Sequence, residues 1–224
     1  MAFVRKIRLY DESATVYHRR YREIQGRKYQ AVINHLETGP LIDVGIGTGI
    51  GLPFIVRFPP VIGVDGSIEM LRIANTEAQE LSEQGAMIEL VCSSAEALPF
   101  RAGVIPTVVS ITVLQNLSNI DLGFEELLHV AQINGLVAVT VLAKTLSMND
   151  LKARLNSAVA QLVEFELLAN EDVGFIIRVI KKPVYRSSLL RTVNFKDKLT
   201  VSRGTLGVEY RGKSAYQNLT KGYK

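Results

Sequence analysis

Short apolar runs alternate with amphipathic segments through most of this chain. The runs are rich in Val, Ile and Leu, as expected of strands that are covered on both faces. In the segments between them, apolar residues recur every three or four positions, which predicts helices. The predicted strands are residues 41–44, 61–64, 88–92, 107–113 and 135–142.

Helices are predicted before the first strand and between the later ones. Residues 10–36 have helical spacing, with Gly26 favouring a break between two helices. Ser67 is expected to begin a helix, and Asp121 is the predicted N-cap of another. The remaining predicted helices are residues 50–57 and a segment that opens at Ser147.

The order of these elements predicts an α/β fold with a Rossmann-like, doubly wound and mostly parallel sheet. Residues 161–169 and 175–180 flank a polar segment and predict an antiparallel hairpin that closes the sheet. Right-handed crossovers bring the carboxyl ends of the first strands to one crevice, which is the usual ligand position in such sheets. Functional residues are therefore expected at those strand ends.

A glycine-rich loop follows the first strand at this edge. Gly45, Gly47 and Gly49 occupy alternate positions, and glycine lets a ligand approach the backbone without a Cβ in the way. The dinucleotide fingerprint G-x-G-x-x-G would need glycine or alanine where this chain has Ile50. The spacing therefore argues against a tight pyrophosphate turn and against a dehydrogenase.

Two carboxylates accompany this loop. Asp43 lies in the first strand, and Asp65 ends the second. Asp65 can accept hydrogen bonds from both hydroxyls of a ribose, although an Asp-Gly pair also favours a plain turn. Asp43 suits the amine of a methionine arm, directly or through water. Together with the glycine loop, the two acids indicate a site for S-adenosyl-L-methionine (SAM), which has a ribose but no phosphate.

Three segments, 41–51, 61–71 and 94–100, together resemble the class I SAM-dependent methyltransferases. They are most similar to the type 11 group, which includes the C-methyltransferases of ubiquinone and menaquinone biosynthesis. The resemblance covers roughly residues 10–180 and implies an enzyme with SAM as cofactor. The predicted cofactor-binding residues are Asp43, Gly45, Gly47, Gly49, Asp65, Gly66, Ile68, Met70, Ser94, Ala95, Glu96 and Thr112.

The resemblance also implies a role for each part of this set. The glycine loop would contact the methionine arm, and Asp65 would bind the ribose. Ile68 and Met70 would border the adenine, and Ala95 and Glu96 would lie at its edge. Glu96 can also be explained as an acid that is favoured at a helix N-terminus.

Two departures from the family pattern affect the adenine side of the site. The family usually has Asp at the position of Ser94, which can form a hydrogen bond but carries no charge. It also commonly has Phe-Asp where this chain has Ile105 and Pro106. These departures predict weaker adenine recognition rather than a different fold.

The sequence identifies no clear catalytic base. Tyr10, Tyr17, Gln115 and Asn116 are weak candidates for contacts with a substrate. The Asn/Asp-Pro-Pro-aromatic signature of exocyclic-amine methyltransferases is absent after the fourth strand, which disfavours that chemistry. Methyl transfer from a sulfonium can depend largely on proximity and orientation, so a base is needed only if the acceptor must lose a proton.

His18 and His129 are the candidate general bases, and each also has a structural explanation. His18 belongs to a basic run and is expected to be solvated, and His129 lies in an apolar segment typical of a structural histidine. The spacing of His, Cys, Asp and Glu suggests no metal-ligand cluster. Hydrolytic and metal-dependent reactions are therefore disfavoured.

Charge divides the chain into three predicted parts. Residues 1–38, a helical cap, hold 8 Lys and Arg against 4 Asp and Glu. Residues 39–180, the SAM-binding core, hold 7 against 16, and residues 181–224, a basic C-terminal extension, hold 11 against 2. Such asymmetry can mark a surface for nucleic acid or anionic lipid, or a solvated tail that folds back on an acidic body.

Several interpretations of the substrate and partners remain open at this stage. A small-molecule acceptor follows from the family resemblance, whereas RNA (tRNA or rRNA) could bind through the basic termini, where tyrosines interleave with the basic residues. The basic extension could equally serve as a contact in a homodimer. A non-catalytic, methyltransferase-like binding module is a further alternative.

The cellular compartment is predicted from features that the sequence lacks. Cys92 is the only cysteine, so no internal disulfide can form, as is usual in a reducing cytosol. No apolar run reaches the roughly 18 residues that a membrane span needs, and the N-terminus lacks a secretory apolar region. A cytoplasmic protein is therefore expected.

Overall fold

The structure is a computed structural model, and it describes residues 2–37, 39–145, 160–165, 172–180 and 199–201. The helix predicted from Ser147 and most of the basic extension lie outside these residues. Among the described residues, no helix is both long enough and apolar enough to cross a membrane.

One twisted sheet organises the described part of the chain. Its strands are β1 (Leu41–Val44), β2 (Val61–Asp65), β3 (Ile88–Cys92), β4 (Ile105–Ile111), β5 (Ala131–Leu142), β6 (Ala160–Phe165), β7 (Asp172–Val179) and β8 (Leu199–Val201). The helices are α1 (Ala2–Ile33), α2 (Leu52–Ile55), α3 (Ile68–Glu83) and α4 (Ile120–Val130), and a single 3₁₀ turn spans Leu114–Asn116.

The strand order confirms the predicted doubly wound fold. Across the sheet it runs β6-β7-β5-β4-β1-β2-β3-β8. β1 to β5 pair in parallel, whereas β7 runs antiparallel to both β5 and β6 and forms the predicted closing hairpin. β8 adds a short antiparallel strand beside β3, where Cys92 is paired with Leu199. The chain order reverses between β1 and β4, which opens a crevice at the carboxyl ends of these strands.

Two apolar layers cover the faces of the sheet. On one face, Tyr29 and Val32 of α1 pack with Leu71 and Ala74 of α3. On the other face, α4 contributes Phe124 and neighbouring residues to a second cluster. A central sheet that is buried on both faces explains why its strands are continuous apolar runs.

The structure corrects two predictions about helices. Gly26 does not divide the N-terminal helix, because α1 is continuous from Ala2 to Ile33. Gly26 instead lets α1 approach Phe54, whose ring would lie 3.3 Å from an added Cβ. The N-cap of α4 is Asn119 rather than Asp121, because its side chain accepts a hydrogen bond from the amide of Leu122.

The fourth strand also differs from its predicted bounds. β4 begins at Ile105 and ends at Ile111, before the predicted end at residue 113. The reason is Thr112, whose φ of +61° turns the chain out of the sheet. The fifth strand begins four residues earlier than predicted, at Ala131, and pairs with Ile105 across an irregular register. The turn at Thr112 places the following residues above the crevice.

Candidate functional site

The glycine loop after β1 has a different neighbour at each glycine. Gly45 has a φ of +82°, and a Cβ there would lie 2.2 Å from Cγ2 of Val113. Gly47 has a φ of +57° and no side-chain atom within 4 Å of the Cβ position, so its backbone is open to a ligand. Gly49 packs against Ala74 of α3. Glycine is therefore needed at residue 45 for packing, whereas at residue 47 it leaves space.

A cleft lies over the carboxyl edge of β1, β2 and β4. Its walls come from α1, the glycine loop, the β2–α3 junction, the segment after β3 and the turn after β4. The predicted residues that line it are Tyr10, Tyr17, Gly45, Gly47, Asp65, Gly66, Met70, Ser94, Ala95, Thr112 and Asn116.

Asp65 joins the glycine loop to the start of α3. One carboxylate oxygen accepts a hydrogen bond from the Gly47 amide at 2.9 Å, and the other accepts from the Ser67 amide at 2.8 Å. Burial raises the pKa of Asp65, although these amide hydrogen bonds oppose the shift. Each oxygen retains a lone pair, so the carboxylate can still accept hydrogen bonds from a ligand in the cleft.

Asp43 lies beneath the glycine loop and outside the wall of the cleft. It is fully buried, and its Oδ2 accepts a hydrogen bond from the Tyr29 hydroxyl at 2.6 Å. Oδ1 has no hydrogen-bond partner in the described part of the chain. Burial raises the pKa of Asp43 to about 7, and the hydrogen bond from Tyr29 opposes this shift. Asp43 is therefore a carboxyl group that can change its charge near neutral pH.

Helix α1 forms one wall of the cleft. Tyr10 and Tyr17 line it with their rings 6.4 Å apart in an edge-to-face arrangement. The Gln25 amide donates a hydrogen bond to the Tyr17 hydroxyl at 3.2 Å and so orients that ring. Asp11 accepts a hydrogen bond from the Ser67 hydroxyl, which ties α1 to the start of α3. Burial raises the pKa of Tyr10, and it raises that of Tyr17 to about 12, so both phenols stay protonated at neutral pH.

Five predicted site residues do not line the cleft: Asp43, Gly49, Ile68, Glu96 and Gln115. A carboxylate oxygen of Glu96 accepts a hydrogen bond from the Asn119 amide and so supports the start of α4. The Gln115 side chain donates to the Thr112 carbonyl at 2.7 Å and stabilises the turn after β4. The Glu96 and Gln115 side chains therefore support the walls of the cleft from behind.

Other lining residues were not predicted from the sequence. Val113 and Leu117 belong to the turn after β4, Ser67 is the N-cap of α3, and Ser93 directly follows β3. Ser67 was predicted only as the start of a helix, and the signal of the other three is their position at or just after a predicted strand. Lys28 and Asp172, which contact the lining residue Thr112 from behind, carry no recognisable motif.

The reactive side chains outside the cleft are engaged elsewhere or unreactive. His18 is half-buried rather than fully solvated, and its Nδ1 lies 3.0 Å from the Thr48 hydroxyl oxygen. Burial raises the pKa of Cys92 to about 11, so it is a thiol at neutral pH. Among the described residues, no His, Cys, Asp and Glu side chains are grouped as a metal site would require.

Comparison with known proteins agrees with this geometry. The family model described as a methyltransferase domain matches residues 42–139, which run from β1 into β5. A search of curated proteins finds no significant match. The family match thus covers the glycine loop, Asp65 and the turn after β4.

Many solved structures share the fold. A SAM-dependent methyltransferase from Aquifex aeolicus is 18% identical, with a TM-score of 0.58 over 68% of this chain and 89% of that one. A SAM-dependent methyltransferase from Thermotoga maritima, described as a possible histamine N-methyltransferase, is 17% identical, with a TM-score of 0.58 over 79% and 100%. A complex of the Haloferax volcanii Trm112 methyltransferase activator with a methyltransferase matches at 13% identity, with a TM-score of 0.62 over 77% and 97%.

At these identities the structural likeness establishes the fold, and the family model adds the methyltransferase domain. The strand order of the sheet agrees with this fold. Residues 42–139 form a methyltransferase domain, and the chain has the fold of the class I SAM-dependent methyltransferases, whose cofactor is SAM.

Proposed function

We propose that this methyltransferase binds SAM in the cleft over β1, β2 and β4 and transfers the methyl group to a small-molecule acceptor in the same cleft. The observation that carries the proposal is the Asp65 carboxylate, which is held by two backbone amides beside the open backbone of Gly47. The fixed carboxylate can accept hydrogen bonds from the hydroxyls of a ribose. The exposed loop backbone next to it leaves room for the methionine arm of SAM, which carries an amine and a carboxylate.

The remaining contacts follow from the walls of the cleft. Met70 and Ala95 offer apolar surface for an adenine, next to Ser94. The Ser94 hydroxyl accepts a hydrogen bond from the Glu96 amide at 3.1 Å, so its hydrogen is left to donate to a ring nitrogen. Oδ1 of Asp43, which has no hydrogen-bond partner among the described residues, lies below the loop and can accept from a water molecule that links it to the ammonium of the methionine arm.

The acceptor is proposed to lie between α1 and the turn after β4. Tyr10, Tyr17 and Asn116 offer hydrogen-bonding groups there, and Leu117 offers an apolar surface. Because the raised pKa values keep both phenols protonated, they act as donors and not as bases. In this proposal, the rate comes from holding the nucleophilic atom in line with the sulfonium methyl group.

Titration calorimetry with S-adenosylhomocysteine (SAH) tests the cofactor site. We expect wild-type protein to bind SAH, and we expect Asp65→Asn to bind at least about tenfold more weakly, because a charge-assisted hydrogen bond is lost. Glu89→Gln removes the same charge at an exposed position on β3 and should leave the affinity unchanged. No binding by folded wild-type protein would contradict the proposal and would favour a non-catalytic module.

RNA is a second candidate acceptor, and one contact favours it. β8 pairs with the carboxyl end of β3, which leads directly into Ser93 and Ser94 of the cleft wall. The sequence around β8 is strongly basic, and Arg19 and Arg20 on α1 are exposed. If RNA is the substrate, its affinity should fall steeply with salt, and protein lacking residues 202–224 should bind it more weakly. Methyl label from SAM that appears only in an organic extract of cell lysate would favour the small molecule.

A further inference from the structure

A lysine and an aspartate form an ion pair in the interior beside the cleft. Nζ of Lys28 on α1 lies 2.8 Å from Oδ2 of Asp172, the first residue of β7, and the two side chains are 5% and 0% exposed. Removing two charges from water is costly, and an apolar pair of similar size is often at least as stable. The pair is therefore poorly explained by stability alone, and its other contacts indicate what it does.

Both members of the pair bind Thr112. Nζ of Lys28 donates a hydrogen bond to the Thr112 hydroxyl at 2.9 Å, and this hydroxyl donates to Oδ2 of Asp172 at 2.8 Å. The Thr112 amide donates to the carbonyl of Thr140 on β5 at 2.9 Å. Elements from three distant parts of the sequence thus converge on one residue, and we refer to Lys28, Asp172 and Thr112 as the buried clamp.

The clamp holds a backbone conformation that threonine rarely adopts. The φ of Thr112 is +61°, and a β-branched residue in the left-handed region costs energy that surrounding contacts must offset. This conformation ends β4 and starts the 3₁₀ turn, whose Gln115 and Asn116 side chains both donate to the Thr112 carbonyl. It also places Val113 directly against Gly45. The strained residue therefore sets the wall of the cleft that faces the glycine loop.

We propose that Lys28 and Asp172 are positioning residues of the methyl-donor site, which act through Thr112 to fix Val113 against the glycine loop and to hold the turn that carries Asn116. The inference rests on the proposed function, because it assigns the cofactor to this cleft. Without the clamp, the strained turn relaxes. The conformation of the wall that binds the cofactor is then present in only a fraction of the molecules. The apparent dissociation constant for the cofactor then rises by the inverse of that fraction.

The test combines SAH calorimetry with hydrogen exchange of the amides of residues 112–117. Thr112→Val removes only the hydroxyl and keeps the shape of the side chain, and Lys28→Met removes the charge. Both should weaken SAH binding by about tenfold or more and should speed exchange of these amides. Thr112→Ser restores the hydroxyl and should bind SAH within about twofold of wild type. Phe175→Leu is the control, because it weakens the same strand β7 at a fully buried position outside the clamp.

The outcomes separate the inference from the proposed function. Wild-type affinity and exchange in Thr112→Val overturn the clamp, and this variant decides the case if Lys28→Met does not fold. An equal loss of SAH affinity in Phe175→Leu, at a matched fall in melting temperature, also overturns it, because general destabilisation then suffices. Failure of wild-type protein to bind SAH would instead refute the proposed function itself.

Discussion

The two sides of the cleft are built by opposite means. On the β1–β2 side, the wall is a backbone surface, in which amides of Gly47 and Ser67 hold Asp65 and glycines leave space. On the β4 side, the wall is a strained turn at Thr112 that is held by the charged side chains of Lys28 and Asp172. The first side should be damaged by adding an atom and the second by removing one.

The largest effect is expected from breaking the buried pair on the β4 side. Asp172→Leu leaves Lys28 without its carboxylate in the interior, which should cost about 3–5 kcal/mol of unfolding free energy in urea titrations. In the double variant Lys28→Met with Asp172→Leu, no charge is left unpaired, so the loss should be smaller than in the single variant. A loss in the double variant equal to the sum of the losses in Lys28→Met and Asp172→Leu would show that the two charges do not depend on each other.

The next effect tests the β1–β2 side by adding one methyl group. In Gly45→Ala, the new Cβ would lie 2.2 Å from Val113 at a φ of +82°. Gly85→Ala is the matched control, because Gly85 also has a positive φ, +95°, but no atom lies within 4 Å of its Cβ position. Left-handed strain should cost both variants about 1–2 kcal/mol. Overpacking should add about 1–3 kcal/mol to Gly45→Ala alone, together with loss of SAH binding.

The same contrast explains how much of the molecule the sequence could predict. Most of the core strands and the strand-helix alternation follow from apolar runs, because a sheet covered on both faces leaves a continuous local pattern. The glycine loop and Asp65 are also local, since the loop, the strand and the next strand end follow each other directly in the sequence. For this reason the β1–β2 side of the cleft was largely predictable.

The β4 side was not predictable for a physical reason. Lys28, Thr112 and Asp172 are far apart in the sequence, and only folding brings them together. Lys28 lies in a basic run that is typical of a solvated helix face, yet it is only 4% exposed. Gly26 was likewise expected to break α1, because the close approach of Phe54 that makes glycine useful there depends on the tertiary structure. Predictions from local patterns fail where the role of a residue depends on a contact with a residue that is distant in the sequence.

A pH titration should sharpen the comparison, because Asp43 is the ionisable group beneath the glycine side. Its pKa is raised from 3.8 to about 7 in the folded protein, so between these values the folded state binds more protons than the unfolded state. Ionisation of Asp43 should therefore lower the free energy of unfolding as the pH rises from about 4 to 7, by up to about 1.4 kcal/mol per pH unit. Above about pH 7, this contribution should be constant.

Asp43→Asn isolates this effect from other buried acids such as Glu126, whose pKa is also raised by burial. The difference in unfolding free energy between wild type and Asp43→Asn should change across this pH range and level off above it. Tyr29→Phe removes a hydrogen bond that lowers the pKa of Asp43, so it should move the upper limit of the range to higher pH. A difference that does not depend on pH would contradict the assignment.

The smallest effect is expected one residue away from the clamp. Arg27 neighbours Lys28 on α1, but its side chain is 68% exposed and pairs with Glu23 one helical turn earlier. An exposed ion pair of this kind contributes about 0.3–0.5 kcal/mol, so Arg27→Met should barely change urea unfolding or SAH affinity. Lys28→Met makes the same substitution at the adjacent position and should weaken both strongly. Similar losses in the two variants would mean that the positive charge of α1 matters as a whole, and that the buried contacts of Lys28 do not set the β4 wall.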